Sequence, residues 1–292
     1  MKKTALRKII GFAGAAVLAL LLPVAAHADS AEPKPGSVFK DCNDCPELVV
    51  LPAGTFTMGT PDDELGRQDD EGPLHEVTFK KPFAISRFQV LQGEWNVWLK
   101  DTGYVMPDGD KRPGRECIAG KPRYAITDRQ PAVCMDYKEA QAYVAWLSKK
   151  TGKAYHMVSE SEREYAARAG SAGPFPFPMD EGKEYSIAKH ANTYGPQDGF
   201  TYTSPAGSYP ANAFGVYDMH GNVYEWVADC RNNDYVGAPT DGSAWLTGNC
   251  DIQRIRGNDW TEAPIFSRSG NRNTMWPTSR GDWLGFRVAR EL

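Results

Sequence analysis

Asn212-Ala213-Phe214-Gly215-Val216-Tyr217-Asp218-Met219-His220-Gly221-Asn222-Val223-Tyr224-Glu225-Trp226 is the stretch on which the fold turns. It is rich in hard oxygen ligands and is broken by a Gly-Asn turn. Asp218 and Glu225 stand seven apart with Gly221-Asn222 between them. Such a turn lets both carboxylates and several carbonyls converge into the oxygen-rich shell that calcium prefers. The rival reading is a turn carrying two solvated carboxylates, and on spacing alone that is the commoner arrangement. A weaker cluster of the same kind lies upstream, in Asn192-Thr193 and Asp198-Gly199-Phe200.

Three helices are legible before this stretch. Trp95, Trp98 and Leu99 sit at helical spacing within Gln92–Lys100, with Gly103 as the stop. Asp136 and Glu139 form a capping box for a helix whose inward stripe is Ala140, Tyr143, Val144 and Leu147, ending at Gly152. Ser159 and Glu162 form another, for a helix running to Arg168 and stopped at Gly170. Glu47–Met58 reads as a hairpin-like opening around Pro52-Ala53-Gly54, and Thr60–Pro73 as a surface loop. Glu76–Val90 contains two strands split by Lys80-Lys81-Pro82. Little after Ser171 is helical. The fold class expected is α+β, irregular, with low regular secondary structure and long loops.

The chain has 292 residues, with 28 Gly and 21 Pro to make turns and 33 Phe, Trp and Tyr to fill a core. Residues 1–28 read as a cleaved signal peptide. Lys2, Lys3, Arg7 and Lys8 precede the apolar run Ile9–Val24, and Ala26-His27-Ala28 offers the cleavage site, so the mature protein is expected in the periplasm. Residues 29–47 are polar and Pro-containing and read as a linker, leaving 48–292 as the domain. Loss of four cations moves the net charge of −4 to about −8, which argues against nucleic acid or an anionic membrane as partner. Outside the cytoplasm six cysteines read as disulfides; proximity suggests Cys42–Cys45, Cys117–Cys134 and Cys230–Cys250, although other pairings stay open. Cys42-Asn43-Asp44-Cys45 has the spacing of a redox pair, but it precedes the first strand-like run rather than following one, which favours a structural role.

The four histidines after the leader, at 75, 156, 190 and 220, include no i, i+4 pair, which removes support for a zinc protease. G-x-S-x-G, Walker A and G-x-G-x-x-G patterns are absent from the sequence. The segment Arg254-Ile255-Arg256-Gly257-Asn258-Asp259-Trp260-Thr261-Glu262 sets carboxylates beside arginines, with Arg268, Arg272 and Arg280 following. That is either a substrate cleft or a structural ion-pair network, and residue types alone favour the network.

Four segments together resemble the formylglycine-generating-enzyme (sulfatase-modifying-factor) family. They are Leu51-Pro52-Ala53-Gly54-Thr55-Phe56-Thr57-Met58-Gly59, Glu162-Arg163-Glu164-Tyr165-Ala166-Ala167-Arg168, the stretch quoted first, and Arg256-Gly257-Asn258-Asp259-Trp260 with Gly285-Phe286-Arg287. The resemblance spans Leu48 to Arg290 and implies a C-type-lectin-like fold stapled by two structural calcium ions. Carried across, one calcium falls to Asp218, Gly221, Val223 and Glu225, and the other to Asn192 and Asp198 with the carbonyls of Thr193 and Phe200.

The departures bear on function. The family's enzymes hold copper on two reactive cysteines, and the matching positions here are Glu262 and about Ser267. Neither oxygen replaces a thiolate for copper(I), so no copper is expected. The family's G-G-S becomes Gly257-Asn258-Asp259, and R-L-P-T-E-A-E-W becomes His156-Met157-Val158-Ser159-Glu160-Ser161-Glu162-Arg163, with Arg163 where the pattern has Trp.

The chain is similar to an exported, cysteine-independent branch that completes the pyoverdine chromophore by oxidising dihydropyoverdine. That likeness implies a periplasmic oxidoreductase acting on a secreted peptide-siderophore precursor, alongside other periplasmic maturation proteins and off the membrane once the leader is cleaved. It makes Glu262 or Asp259 the general base, Arg256 and Arg268 the anion holders, Trp260 the stacking surface, and Ser267 a further substrate contact. The competing readings are a non-catalytic lectin-like binding or scaffold module and, more remotely, formylglycine formation on a sulfatase.

Overall fold

Short strands dominate because Gly and Pro interrupt the apolar runs every few residues. In this computed structural model the described residues are Met1, 33–109, 116–179 and 186–292. Residues 2–28 of the stretch read as a signal peptide lie outside them. The elements in chain order begin with β1 (Val38–Phe39), β2 (Leu48–Leu51), β3 (Gly54–Met58), β4 (His75–Phe79), β5 (Phe83–Ser86) and α1 (Gln92–Thr102). There follow β6 (Cys117–Ile118), β7 (Lys121–Pro122), α2 (Tyr137–Thr151), β8 (Tyr155–Met157) and α3 (Glu160–Arg168). The last part holds β9 (Tyr224–Arg231), β10 (Asn249–Arg256), β11 (Asn273–Met275), β12 (Leu284–Phe286) and β13 (Val288–Glu291).

A five-stranded sheet runs β1-β2-β5-β13-β8, so the last strand lies between strands from the first half and ties the ends of the domain together. A four-stranded sheet runs β11-β10-β9-β12, with β12 parallel to β9 and the other pairs antiparallel. The fold is mixed α+β, with few helices and many short strands, as the sequence suggests. β2 and β3 do not form the hairpin expected of Glu47–Met58. At Pro52-Ala53 the chain leaves one sheet for another, β2 pairing with β5 and β3 with β4.

Local chemistry sets the helix ends. Asp136 accepts from the Glu139 amide at 2.9 Å while Glu139 accepts from the Asp136 amide at 2.9 Å. Ser159 and Glu162 repeat the exchange at 3.0 and 2.8 Å. Each such cap contributes about 1 kcal/mol. α1 and α2 end on left-handed glycines, Gly103 and Gly152; α3 instead ends on left-handed Ala169, one residue before the expected Gly170.

Two apolar cores flank the five-stranded sheet. One packs Trp95 and Trp98 of α1 and Tyr143 of α2 against Phe286, and the other gathers Val49, Val77, Phe79, Ile85 and Tyr165. α3 runs through the interior with all nine residues buried, including Glu160, Glu162, Arg163, Glu164 and Arg168. A helix this polar is buried only because charged partners meet it from distant segments.

Two segments read as solvated are anchored. The stretch 29–47 is not a free linker throughout: from Pro33 it belongs to the compact unit ending at Leu292, β1 pairs with β2, and Cys45 is buried. The Thr60–Pro73 loop is pinned by Glu71, which is fully buried against Arg268. The disulfides are Cys42–Cys45, Cys117–Cys134 and Cys230–Cys250.

Candidate functional site

After β10 the chain turns through Gly257 and Asn258, whose φ angles of +100° and +66° reverse its direction and lift Asp259 and Trp260 away from the sheet. Asn258 holds this turn from beneath by donating to the Ser267 hydroxyl at 2.7 Å and the Ala263 carbonyl at 3.2 Å. Trp260 is thereby fixed. Its amide donates to the Asn222 carbonyl at 3.2 Å and its indole N–H to the Asp282 carbonyl at 3.3 Å.

Trp260 forms one wall of a cavity of about 670 Å³. Arg123, Thr261, Asp282 and Trp283 line it, as does the loop carrying Tyr194, Gly195, Pro196, Gln197, Phe200 and Thr201. The Arg123 guanidinium lies 5.3 Å from the Trp260 ring centre and 5.4 Å from that of Tyr202, and Tyr202 stacks on Tyr124 at 4.5 Å. Arg123 Nε donates to Asp282 Oδ2 at 3.0 Å. The other oxygen, Oδ1, is buried without a hydrogen-bond partner. Burial raises the Asp282 carboxyl above the usual carboxylate range, and the neighbouring Arg123 opposes the rise. A planar ring laid on Trp260 would thus meet the Arg123 guanidinium, with the Asp282 carboxyl paired to it.

The two expected catalytic carboxylates do not line this cavity. Asp259 is buried behind Trp260, where Oδ1 accepts from the Thr261 amide at 2.5 Å. Burial pushes its carboxyl up to about 7, with Glu262 and Asp282 adding to the rise. Glu262 is exposed, and its backbone carbonyl accepts from the Tyr194 amide at 2.9 Å. Asp282 and Arg123 are the charged groups that the sequence reading missed. The available signal was Gly281-Asp282-Trp283 just before Gly285-Phe286-Arg287, an isolated carboxylate between a glycine and a tryptophan.

Arg256, Arg268 and Ser267, expected as substrate contacts, lie buried and do not line this cavity. Arg256 is buried, bonded to Glu164 and to the carbonyls of Ser269 and Gly270. Arg268 grips both oxygens of Glu71 at 2.7 Å and reaches Glu64 at 2.9 Å. Ser267 is enclosed, its hydroxyl accepting from Asn258 and its carbonyl facing His220 Nδ1 at 2.8 Å. Each has its bonding capacity occupied by protein, as in the network alternative.

The two expected calcium positions differ. At the first, Asn192 Oδ1 is buried without a partner, and the Asp198 carboxylate sits in a tight turn accepting from the amides of Thr193 at 2.8 Å and Phe200 at 2.9 Å. An orphaned amide oxygen in the same loop as the Asp198 carboxylate and the carbonyls of Thr193 and Phe200 is a donor set that suits calcium. At the second, Glu225 does not fit. Both its oxygens are taken by guanidinium groups, from Arg163 at 2.8 Å and from Arg287 at 2.9 Å. Among the described residues no cluster of three or more His, Cys, Asp or Glu side chains could hold a metal.

All six cysteines are in disulfides, and none lines the cavity. Among the described residues no helix is long and apolar enough to cross a membrane. The chain is similar to the solved structure of PvdO from Pseudomonas aeruginosa, with a TM-score of 0.87 and 73% identity, covering 89% of this chain and 100% of that one. It is also 28% identical to the inactive C-alpha-formylglycine-generating enzyme 2 of Bos taurus, over 83% of this chain and 87% of the relative. The formylglycine-generating enzyme of Thermomonospora curvata is 28% identical over 64% of this chain and 73% of its own length. Residues 34–292 match the family described as the sulfatase-modifying factor enzyme 1-like domain, and the chain belongs to that family.

Proposed function

We propose that this protein oxidises the dihydropyoverdine-type ring of a secreted peptide-siderophore precursor in the periplasm, without copper or a reactive cysteine. The observation that carries the reading is the cavity itself: a fixed tryptophan, an arginine and the carboxyl paired with that arginine line one cavity where no cysteine stands. The choice of substrate draws on the 73% identity to PvdO, taken as a member of the exported, cysteine-independent branch.

In this reading the ring stacks on Trp260 and Arg123 holds an anionic group of the precursor. Asp282 accepts one proton from the dihydro ring. Two electrons and the second proton leave to an oxidant from solution; with dioxygen the product would be hydrogen peroxide, which balances the loss of two hydrogens. Asp259 and Glu262 keep a supporting place, behind Trp260 and against Tyr194, that sets where the ring lies. One structural calcium belongs to Asn192 and Asp198 with the carbonyls of Thr193 and Phe200, in the loop forming the opposite wall, where it would stiffen that wall.

The test is turnover of purified dihydro precursor, followed by absorbance and by a mass loss of two hydrogens. Asp282→Asn keeps shape and lowers turnover about 100-fold or more, the scale of a lost general base. Wild-type turnover in that variant would remove Asp282 from the chemistry. Precursor binding without turnover by the unmodified protein would favour a lectin-like binding module or a scaffold for other maturation proteins.

A further inference from the structure

The segment Tyr217–Trp226 carries the oxygen atoms of a calcium site, yet donors from three other parts of the chain already occupy both Glu225 oxygens and the carbonyls of Tyr217, Asp218, Met219 and Gly221. Arg163 Nε donates to Glu225 Oε2 at 2.8 Å, and its Nη2 reaches the Met219 carbonyl at 2.7 Å and Glu225 Oε1 at 3.4 Å. Arg287 Nε donates to Glu225 Oε1 at 2.9 Å, and its Nη2 bonds the Tyr217 carbonyl. The Gln89 amide lies between, donating to the Asp218 carbonyl at 3.0 Å, the Gly221 carbonyl at 3.4 Å and Glu225 Oε1 at 3.0 Å. Of the carboxylate oxygens only Asp218 Oδ1 is left without a partner. Calcium takes six to eight oxygens, and one spare carboxylate oxygen leaves that shell far short.

Charge points the same way. Two carboxylates, Asp218 and Glu225, face two guanidiniums, Arg163 and Arg287, all of them buried. The cluster is balanced, so a divalent ion added to it would be an uncompensated buried charge. The surroundings also accommodate the guanidinium. A Cβ on Gly257 would lie 2.3 Å from Arg163 Nη2, so the glycine of Arg256-Gly257-Asn258 leaves the space that Arg163 fills. Arg163 stands where the family pattern has Trp.

From this geometry we infer that Arg163, with Arg287, replaces the metal ion at the Asp218–Glu225 turn, so that this turn is held by an internal cation and takes no calcium. Folding of the Tyr217–Trp226 segment is then independent of divalent ions, and the chain's calcium capacity is confined to the Asn192–Asp198 loop.

Equilibrium dialysis of the chelator-stripped, unmodified protein against radioactive calcium tests this. At most one equivalent is expected, and Asp198→Asn should bring the count to zero. Two equivalents, or one that survives Asp198→Asn, would overturn the inference. Should that variant not fold, crystals of the unmodified protein grown in calcium chloride give the same decision. An anomalous peak between Asp218 and Glu225 would refute it, and the Arg163 guanidinium at that position would support it.

Discussion

Arg268 decides between a substrate cleft and a buried scaffold, and replacing it gives the sharpest measurement. Arg268 and Glu71 are both fully enclosed, joined by two bonds of 2.7 Å, and their pairing pins the Thr60–Pro73 loop to a segment 197 residues away. Removing one member strands the other's charge in the interior, which costs about 3–5 kcal/mol. Arg268→Met should fall near the upper end, because it leaves Glu71 without its guanidinium partner and Glu64 without its 2.9 Å contact. Glu71→Gln should fall near the lower end, since Glu64 still faces Arg268. The double variant Glu71→Leu/Arg268→Met should recover much of the loss, because an apolar pair of similar volume carries no desolvation penalty. Urea unfolding followed by tryptophan fluorescence gives the cycle, with the change in midpoint at constant slope as the readout. If Arg268→Met moved stability by less than about 0.5 kcal/mol, the range of an ordinary surface change, while raising KM for the precursor, the scaffold assignment would fail.

Stability should also depend on pH in two opposed ways. Burial pushes Asp229 and Asp259 up to about 7, so the unfolded chain releases these protons first; stability falls as pH rises from about 4 to 7, by about 4 kcal/mol per group. Glu160 is carried down to about 2, burial being outweighed by Arg272 and Arg256, so its contribution is complete above about 4.5 and lost as pH falls toward 2. Urea midpoints across pH 3–8 should therefore be highest near pH 4 and fall toward pH 7, and a maximum at pH 8 would contradict these placements. Gly257→Ala forces a Cβ into both a φ of +100° and the Arg163 guanidinium, and should cost about 2 kcal/mol or more in the same unfolding assay. An unchanged midpoint would show that the turn has room to spare.

Much of the fold was readable because its signals are local. A capping box spans three residues, so Asp136 with Glu139 and Ser159 with Glu162 mark helix starts without knowledge of anything distant. Trp260 was identifiable as a site residue because it sits in a family motif. Asp282 was not, since its importance comes from Arg123, a residue 159 positions away, and from a cavity that no one segment encloses. At Glu225 the spacing from Asp218 suits calcium, but the spacing says nothing of Arg163 and Arg287, each 62 residues from it.

By itself, then, the sequence determined the helix starts, the mixed α+β character, the family, and the lack of thiolates where that family keeps a soft metal. These follow from neighbours in the chain, whose geometry the covalent backbone dictates. Which charges line the cavity and which lie inside the protein became visible from the packing of remote segments. Arginine and glutamate have the same chemistry in either role, and what separates the roles is burial and the identity of the opposing group, both of which are made by contacts between remote segments.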